Sequence, residues 1–364
     1  MANTKLMRAS ADSIKPHTAK RPITRALLWC GLFIILLVGC WQGLTAYSKF
    51  TLSLTELFSL LLQLSDLTAH SGQASLAAQL LIEIRLPRVI VAIIVGANLA
   101  VAGLLMQVIT RNSLASPAVL GINAGAACVV ALSSIGLGFA FLTSTFLQAM
   151  VGAVLSCALV AGLAGYFSGR PVHPVRLILS GVAINALLVG LTRAALITTD
   201  EQAYGVLYWL AGSIANTSWQ SIPMLAIISL LTLGYGWWLS PKLNVLVLGD
   251  EVASSLGINL RALQWSCGAL ITILTAVSVA VAGPIAFVGL IIPHVAKRLL
   301  KQVSSMAYEQ LLPLSMLLGS ILMVWADILS RAVAYPAETP VGLLTALIGT
   351  PVFIALACRR RLDS

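Results

Sequence analysis

Long apolar stretches, separated by short segments that carry most of the basic residues, constrain this chain more than any other feature. Only 9% of its residues are charged and 59% are hydrophobic. A soluble domain is about 25% charged, so this chain has too few charges to cover a water-facing surface. Most of the chain is therefore expected to lie in lipid, which excludes a soluble enzyme, a secreted disulfide scaffold and a disordered protein.

Ten stretches approach the length of about 20 apolar residues that a membrane-spanning helix needs. They are Ala26–Tyr47, Val89–Thr110, Ala118–Leu137, Thr145–Phe167, Leu177–Ile197, Trp219–Leu239, Ala262–Ala282, Ile285–Leu300, Gln310–Ser330 and Val341–Cys358. The eighth is short, and only Gly283-Pro284 separates it from the seventh. The predicted fold is an all-α polytopic membrane protein with about ten transmembrane helices, forming one domain over residues 26–364.

The basic residues predict the orientation of these helices. With the N-terminus inside, 17 of the 22 Lys and Arg residues fall on the inner side, which is the usual bias of membrane proteins. The other five lie outside or at outer helix ends: Lys49, Arg85, Arg88, Arg193 and Arg331. Both termini are therefore predicted to be cytoplasmic, with residues 1–25 as a basic, flexible arm. The net charge of +10 follows this pattern, so a nucleic-acid partner is not expected.

Residue types that commonly form catalytic and metal sites are not spaced here as such sites require. The four histidines, His17, His70, His173 and His294, are not spaced like metal ligands, and the six cysteines have no paired spacing. No phosphate-binding Gly-x-x-x-x-Gly-Lys-Ser/Thr loop and no catalytic constellation occur. We therefore expect neither an enzyme nor a metal site. The interior also holds few ionisable residues, chiefly Arg193 and Asp327, whereas ion-coupled carriers usually place such groups at mid-membrane.

Four ordered motifs are more specific than composition. They are Arg85-Leu86-Pro87-Arg88 with the following VIVAIIVGANLAVAGLLMQVITRNSLASPAVLGINAGAA, the segment Leu248–Gly257, the segment Gly283–His294, and Ala326-Asp327 through Arg331 followed by Glu338–Pro351. From about Glu83 to Arg361 the chain closely resembles the permease subunits of ABC importers for ferric siderophores, haem and cobalamin, the FecCD/vitamin B12 permease family. It departs from the family at Ser113, where a proline is usual.

This resemblance implies a type II ABC importer permease that moves an iron(III)-siderophore across the bacterial cytoplasmic (inner) membrane. It implies separate ABC ATPase subunits that use the ATP, so that this chain binds no cofactor itself. Further implied partners are a second permease subunit, identical or homologous, a substrate-binding protein and membrane lipid. One alternative is the same architecture with cobalamin or haem as cargo, and a more distant alternative is an ion-coupled secondary carrier.

The segment Leu248–Gly257 lies between spans six and seven on the predicted inner side. Asp250 can cap a short helix, in which Val252 and Leu256 share one face with Ala253 beside them. The resemblance implies that this helix docks into the ATPase. The implied coupling residues are Asp250, Glu251, Val252, Ala253, Leu256 and Gly257. The alternative is an amphipathic loop helix that rests on the bilayer.

Three basic residues stand on the outer side, against the positive-inside tendency. Arg85 and Arg88 precede span two, and Arg331 ends span nine. The resemblance implies that they receive acidic residues from the two lobes of the binding protein, which would orient its docking. The alternative is that their side chains extend to the interface or cap helices.

Span five is the pathway-lining helix of the resembled family. On it, Asn185, Thr192 and Arg193 are candidates to face a water-filled cavity. Arg193 would attract an anionic ferric chelate there, or would pair with Asp200 or Glu201 instead. In span two, the small residues Gly96, Ala100 and Gly103 predict close helix packing.

Overall fold

The computed structural model describes residues 22–46, 79–137, 142, 144–166, 174–198, 203–303, 307–335 and 337–360. In these residues every regular element is helical. The α-helices are α1 (Pro22–Thr45), α2 (Leu86–Thr110), α3 (Ile122–Ser134), α4 (Thr145–Ala164), α5 (Pro174–Ile197), α6 (Ala203–Leu210), α7 (Ile222–Leu246), α8 (Asp250–Ser255), α9 (Leu260–Ala282), α10 (Val288–Val303), α11 (Tyr308–Val333) and α12 (Val341–Arg360). A π-helical turn, Leu81–Arg85, leads into α2, and a 3-10 turn, Pro117–Leu120, precedes α3.

Each of the ten predicted spans overlaps one of these helices, in the predicted order. Among the described residues, α1, α2 with its leading turn, α4, α5, α7, α9 and α11 are long and apolar enough to cross a membrane. These seven helices make the chain a multi-pass membrane protein. Since α3, α10 and the apolar part of α12 are shorter, the count of ten and the orientation stay predictions.

The first helix begins before the predicted boundary. It starts at Pro22, so the last four residues assigned to the N-terminal arm, 22–25, are helical. The remainder of the predicted arm, residues 1–21, lies outside the described residues.

Helix α2 forms the centre of the bundle. It packs against α7, α9, α10 and α11, whereas α1 lies at the outside against α11. In the most apolar part of each helix, 83% of the α2 residues are buried but only 6% of the α1 residues. The helix that carries the first family motif is therefore the one around which the others are arranged.

Close contact between α2 and its neighbours depends on two glycines. A Cβ atom on Gly96 would overlap the backbone of Gly319 in α11, and one on Gly103 would overlap the backbone of Gly289 in α10. Ala100 also lies against Gly319. The predicted packing role of this stripe is confirmed, because small residues let helix backbones approach closely where lipid provides no hydrophobic driving force.

The predicted break between spans seven and eight is also confirmed. Helix α9 ends at Ala282 and α10 starts at Val288. Gly283 and Phe287 bound the break with left-handed backbone angles, φ of 68° and 67°. Pro293 lies inside α10 and removes one backbone donor there.

Polar side chains inside the bundle bind to one another. The Asn98 Nδ2 of α2 donates to the Ser229 Oγ of α7 at 2.7 Å and to the Ser278 Oγ of α9 at 3.2 Å. The Lys297 Nζ of α10 donates to the Gln107 Oε1 of α2 at 3.0 Å. Such contacts join helices where no water is present to bind the polar groups.

Polar contacts between helices mark two opposite ends of the bundle. At one end, called here the arginine end, the start of α7 meets the start of α2, since the Trp219 Nε1 donates to the Ile82 carbonyl oxygen at 2.8 Å. At the other end, called the α8 end, the Asn244 Nδ2 of α7 donates to both carboxylate oxygens of Glu309 in α11 at 2.9 Å.

Candidate functional site

A cluster of charges lies at the arginine end. Arg88 is 4% exposed, and its guanidinium lies between two carboxylates of its own chain. Its Nε lies 2.7 Å from the Asp327 Oδ1 of α11, and its Nη1 lies 2.7 Å from the Glu338 Oε2, just before α12. Asp327 is 2% exposed, whereas Glu338 is 39% exposed. These contacts join the starts of α2 and α12 to the end of α11.

Two further arginines complete what we call the arginine cluster: Arg85, Arg88, Asp327, Arg331 and Glu338. The Arg331 Nη2 lies 3.1 Å from the Asp327 Oδ2.

Both of these added arginines also bind the end of α1. The Arg331 Nη1 donates to the Gly43 carbonyl oxygen at 3.0 Å, and the Arg85 Nη1 donates to the Leu44 and Ala46 carbonyl oxygens at 2.6 and 3.0 Å. The last carbonyl groups of a helix lack partners within the helix and carry partial negative charge. The arginines supply those partners, so the cluster fastens α1 to the bundle.

The structure brings the three predicted docking arginines together, and it also shows which groups of the same chain they bind. Arg88 and Arg331 are buried, and their charges are met by Asp327 and by backbone carbonyl groups. Only Arg85 among the three is partly exposed. Docking stays a prediction, but in this conformation the buried arginines are engaged inside the chain rather than presented to a partner.

At the opposite end, α8 presents an apolar surface. Val252 is 42% exposed and Leu256 is 65% exposed, and Leu248 before the helix is 68% exposed. Ala253, in contrast, lies on the side of α8 that packs against the bundle and is fully buried. The predicted face of Val252 and Leu256 is therefore available to a partner, whereas Ala253 holds the helix against the bundle.

The predicted capping role of Asp250 is wrong. Gly249 occupies the N-cap position of α8, and no side chain caps the helix. The Asp250 Oδ1 instead lies 2.5 Å from the Arg111 Nη2, at the end of α2. Asp250 is the first residue inside the helix, and its carboxylate binds the Arg111 guanidinium in place of the free backbone N–H groups.

Glycines flank α8 on both sides. Gly249 and Gly257 have left-handed backbone angles, φ of 125° and 78°, and an added Cβ would meet nothing within 4 Å at either position. Glu251 is exposed, and its carbonyl oxygen accepts hydrogen bonds from the Ser254 and Ser255 hydroxyl groups. The segment is thus a short helix, flanked by tight turns, that packs against α7 and α9.

The three candidate pathway residues on α5 do not share one environment. Asn185 and Arg193 are exposed, so they lie on the outer surface of this chain. Thr192 is buried, and its hydroxyl group donates to the Leu188 carbonyl oxygen of the same helix at 2.8 Å. Asp200 and Glu201, the alternative partners of Arg193, lie outside the described residues.

No metal site can be built from the part of the chain that the structure describes. There, no three His, Cys, Asp or Glu side chains come together in a group that could hold a metal ion. The charged groups that do cluster form internal ion pairs, which suit the joining of helices rather than bond-breaking chemistry. The described helices and their internal ion pairs therefore define a multi-pass membrane protein.

Comparison with known proteins supports this class. Residues 32–359 match the FecCD transport family. The chain is 43% identical over 278 residues to the Fe(3+)-citrate import system permease protein YfmD of Bacillus subtilis, covering 76% of this chain and 81% of the relative. It is 38% identical over 344 residues to the Fe(3+) dicitrate transport system permease protein FecC of Escherichia coli, covering 94% of this chain and 98% of that protein.

A solved structure agrees. A chain described as a metal-chelate type ABC transporter, in an inward-facing conformation, superposes with a TM-score of 0.76 at 29% identity. The match covers 91% of this chain and 99% of that one. The chain therefore belongs to the FecCD transport family, as the four ordered motifs predict.

Proposed function

We propose that this chain is the membrane-spanning permease subunit of a bacterial ABC importer, in the cytoplasmic membrane, and that it translocates an iron(III)-siderophore. Separate ATPase subunits supply the energy, so the chain itself makes and breaks no bonds. The observation that carries the proposal is the exposed apolar face of α8 in a member of the FecCD family. An exposed apolar surface at the end of a membrane bundle needs a protein or a lipid partner.

The geometry of α8 suits transmission of movement from an ATPase. Val252 and Leu256 form a small apolar knob that fits a groove on another protein. Behind the knob, the Asp250–Arg111 ion pair connects α8 to α2, the helix around which the bundle is built. A shift of α8 is thereby passed to the central helix, and the permease moves between outward-open and inward-open states according to which state the ATPase binds better.

The arginine end is the proposed docking surface for a substrate-binding protein. The exposed carboxylate in the cluster is Glu338, which holds the Arg88 Nη1. A carboxylate of the binding protein can replace Glu338 without leaving Arg88 unpaired, because Asp327 still binds the Arg88 Nε. Docking is then an exchange of carboxylates on a preformed cation, which favours orientation and speed of association more than affinity.

A second permease subunit, identical or homologous, is proposed to complete the pathway. Helix α5 contacts α3, α4 and the 3-10 turn but leaves Asn185 and Arg193 exposed. A charged arginine on a membrane helix is costly unless it faces water or a partner. A partner subunit opposite α5 gives Arg193 a water-filled path, in which it would attract an anionic ferric chelate.

Uptake by the purified complex in proteoliposomes tests the function. We expect uptake of radiolabelled ferric dicitrate or another ferric siderophore when the chain is reconstituted with its ATPase and binding protein and ATP is present on the ATPase side. An ATPase variant that binds but does not hydrolyse ATP should abolish uptake. Uptake that needs no ATP would contradict this proposal and indicate a secondary carrier. Uptake of haem or cobalamin but of no ferric siderophore would contradict the proposed cargo.

A further inference from the structure

A crevice on the outer surface of the bundle has no role in the proposed transport cycle. It lies among α2, α4 and α9 and has a volume of about 280 Å³. Large apolar side chains form most of its walls, and four small residues leave space between them: Ala158 and Ala161 of α4 and Gly268 and Ala269 of α9. An added Cβ on Gly268 would meet no atom within 4 Å, so the space beside this glycine is open.

The lining of the crevice is almost entirely carbon. Its two polar side chains on facing helices, Cys157 and Thr272, bind one another, with 2.9 Å between the Sγ and Oγ1 atoms. The Thr272 hydroxyl also donates to the Gly268 carbonyl oxygen at 2.8 Å. A hydrophilic iron chelate would therefore gain no hydrogen bond from these two side chains. A hydrocarbon chain forms no hydrogen bonds, so it would lose none by entering the crevice.

Aromatic rings and basic side chains stand where the crevice approaches the α8 end. Tyr166 and Trp265 both line it and pack edge to face, with 5.1 Å between ring centroids. Arg261 is exposed and lies one helical turn before Trp265 on α9, and Arg176 is exposed and directly precedes Leu177, which lines the crevice. Aromatic rings and basic side chains in this order are typical of the level of lipid headgroups.

We propose that this crevice binds one acyl chain of an anionic phospholipid from the leaflet at the α8 end. The acyl chain occupies the apolar space beside Gly268, and the negative headgroup lies against Arg176 and Arg261. Charge complementarity selects an anionic lipid over a zwitterionic one, since a basic residue near the membrane surface favours anionic lipid by a few-fold. The proposal concerns the lipid-facing surface and does not depend on which cargo the protein moves.

Native mass spectrometry of the purified chain tests the proposal with matched variants. The protein is delipidated and titrated with phosphatidylglycerol or phosphatidylcholine of identical acyl chains. Gly268→Leu fills the crevice, and Gly234→Leu is the control, because an added Cβ on Gly234 of α7 likewise meets nothing within 4 Å and Gly234 is exposed away from the crevice. We expect Gly268→Leu to weaken retention of phosphatidylglycerol about tenfold, as for two methylenes left unburied, and Gly234→Leu to change nothing.

The headgroup is tested by Arg176→Gln and Arg261→Gln. Each should weaken phosphatidylglycerol retention about fivefold and leave phosphatidylcholine retention unchanged. Equal retention by the Gly268→Leu and Gly234→Leu proteins would overturn the proposal, as would equal retention of the two lipids by the unaltered chain. Cross-linking of an introduced Ala161→Cys thiol to a second protein copy would assign the crevice to a protein interface instead, and would equally overturn it.

Discussion

At the level of single residues, the arginine cluster shows how a few charges can fix several helices. Arg88 and Asp327 are 239 positions apart, so no local pattern in the sequence indicates that they pair. The predicted helix order does place all three arginines on the outer side of the membrane, where the positive-inside rule makes basic residues rare. It cannot supply their partners, since backbone carbonyl groups at the end of α1 carry no sequence signal at all.

Loss of Arg88 should destabilise the protein strongly. Arg88→Met keeps the volume of the side chain but leaves the buried Asp327 with Arg331 as its remaining partner, which should cost about 3–5 kcal/mol of unfolding free energy. Glu338→Gln is the control, because Glu338 is more than a third exposed and an exposed pair contributes about 1 kcal/mol or less. Thermal unfolding in detergent measures both variants. Equal small shifts would show that the cluster does not hold the helices together.

Substitution of Gly103 should separate two helices. In Gly103→Ala the new methyl group overlaps the Gly289 backbone, so α2 and α10 must move apart at a cost of about 1–3 kcal/mol. Gly234→Ala in α7, where space is open, should be stable or slightly stabilised, because alanine favours helix more than glycine. Tryptophan fluorescence during heating compares the two. A Gly103→Ala protein as stable as the original would contradict the close contact.

Among the elements, α8 is the one whose position was predicted best and whose internal chemistry was predicted least well. The i, i+4 spacing of Val252 and Leu256 correctly indicates an exposed face. The choice of Asp250 as cap fails because the turn at Gly249 starts the helix one residue earlier and frees the carboxylate for Arg111. Helix α6 was missed altogether, since eight apolar residues are too few for a span.

The apolar face of α8 should be necessary for ATPase binding. Val252→Asp combined with Leu256→Asp places two charges on the surface proposed to enter an ATPase groove, so the ATPase should no longer copurify with the permease. Ser254→Asp adds a charge to the same exposed helix away from that face, and should leave copurification intact. Unchanged melting temperatures would show that both proteins are folded. Unaltered ATPase binding and uptake in the double variant would contradict the coupling role.

The ion pair between α8 and α2 should matter for coupling more than for stability. Both side chains are about half exposed, at 51% and 54%, so the pair contributes about 1 kcal/mol or less to unfolding. Arg111→Asp should reduce ATP-driven uptake by up to about fivefold, the rate equivalent of that energy.

Exchange of the two charges provides the control for this prediction. Residue 111 has a left-handed backbone, φ of 50°, which aspartate tolerates well. The exchanged pair, Arg111→Asp with Asp250→Arg, should therefore restore uptake. An exchanged pair as impaired as Arg111→Asp alone would show that the individual residues matter and the contact between them does not.

For the whole molecule, the order and approximate position of the helices follow from hydropathy, because an apolar segment in lipid must satisfy its backbone polar groups internally, as a helix does. Which helix lies at the centre does not follow from hydropathy, since α1 and α2 are both strongly apolar and both contain glycines. The glycines of α2 carry that signal, and they are informative only once their partners Gly289 and Gly319 are known.

The account as a whole rests on α8 facing the cytoplasm and the arginine cluster facing outward, and impermeant thiol labelling measures this directly. In a functional chain whose six cysteines are replaced by alanine, Ser254→Cys and Ala337→Cys each place one exposed thiol at opposite ends of the bundle. We predict that an impermeant maleimide added to intact cells labels residue 337 but labels residue 254 only after the membrane is permeabilised. Labelling of residue 254 from outside intact cells would contradict the account.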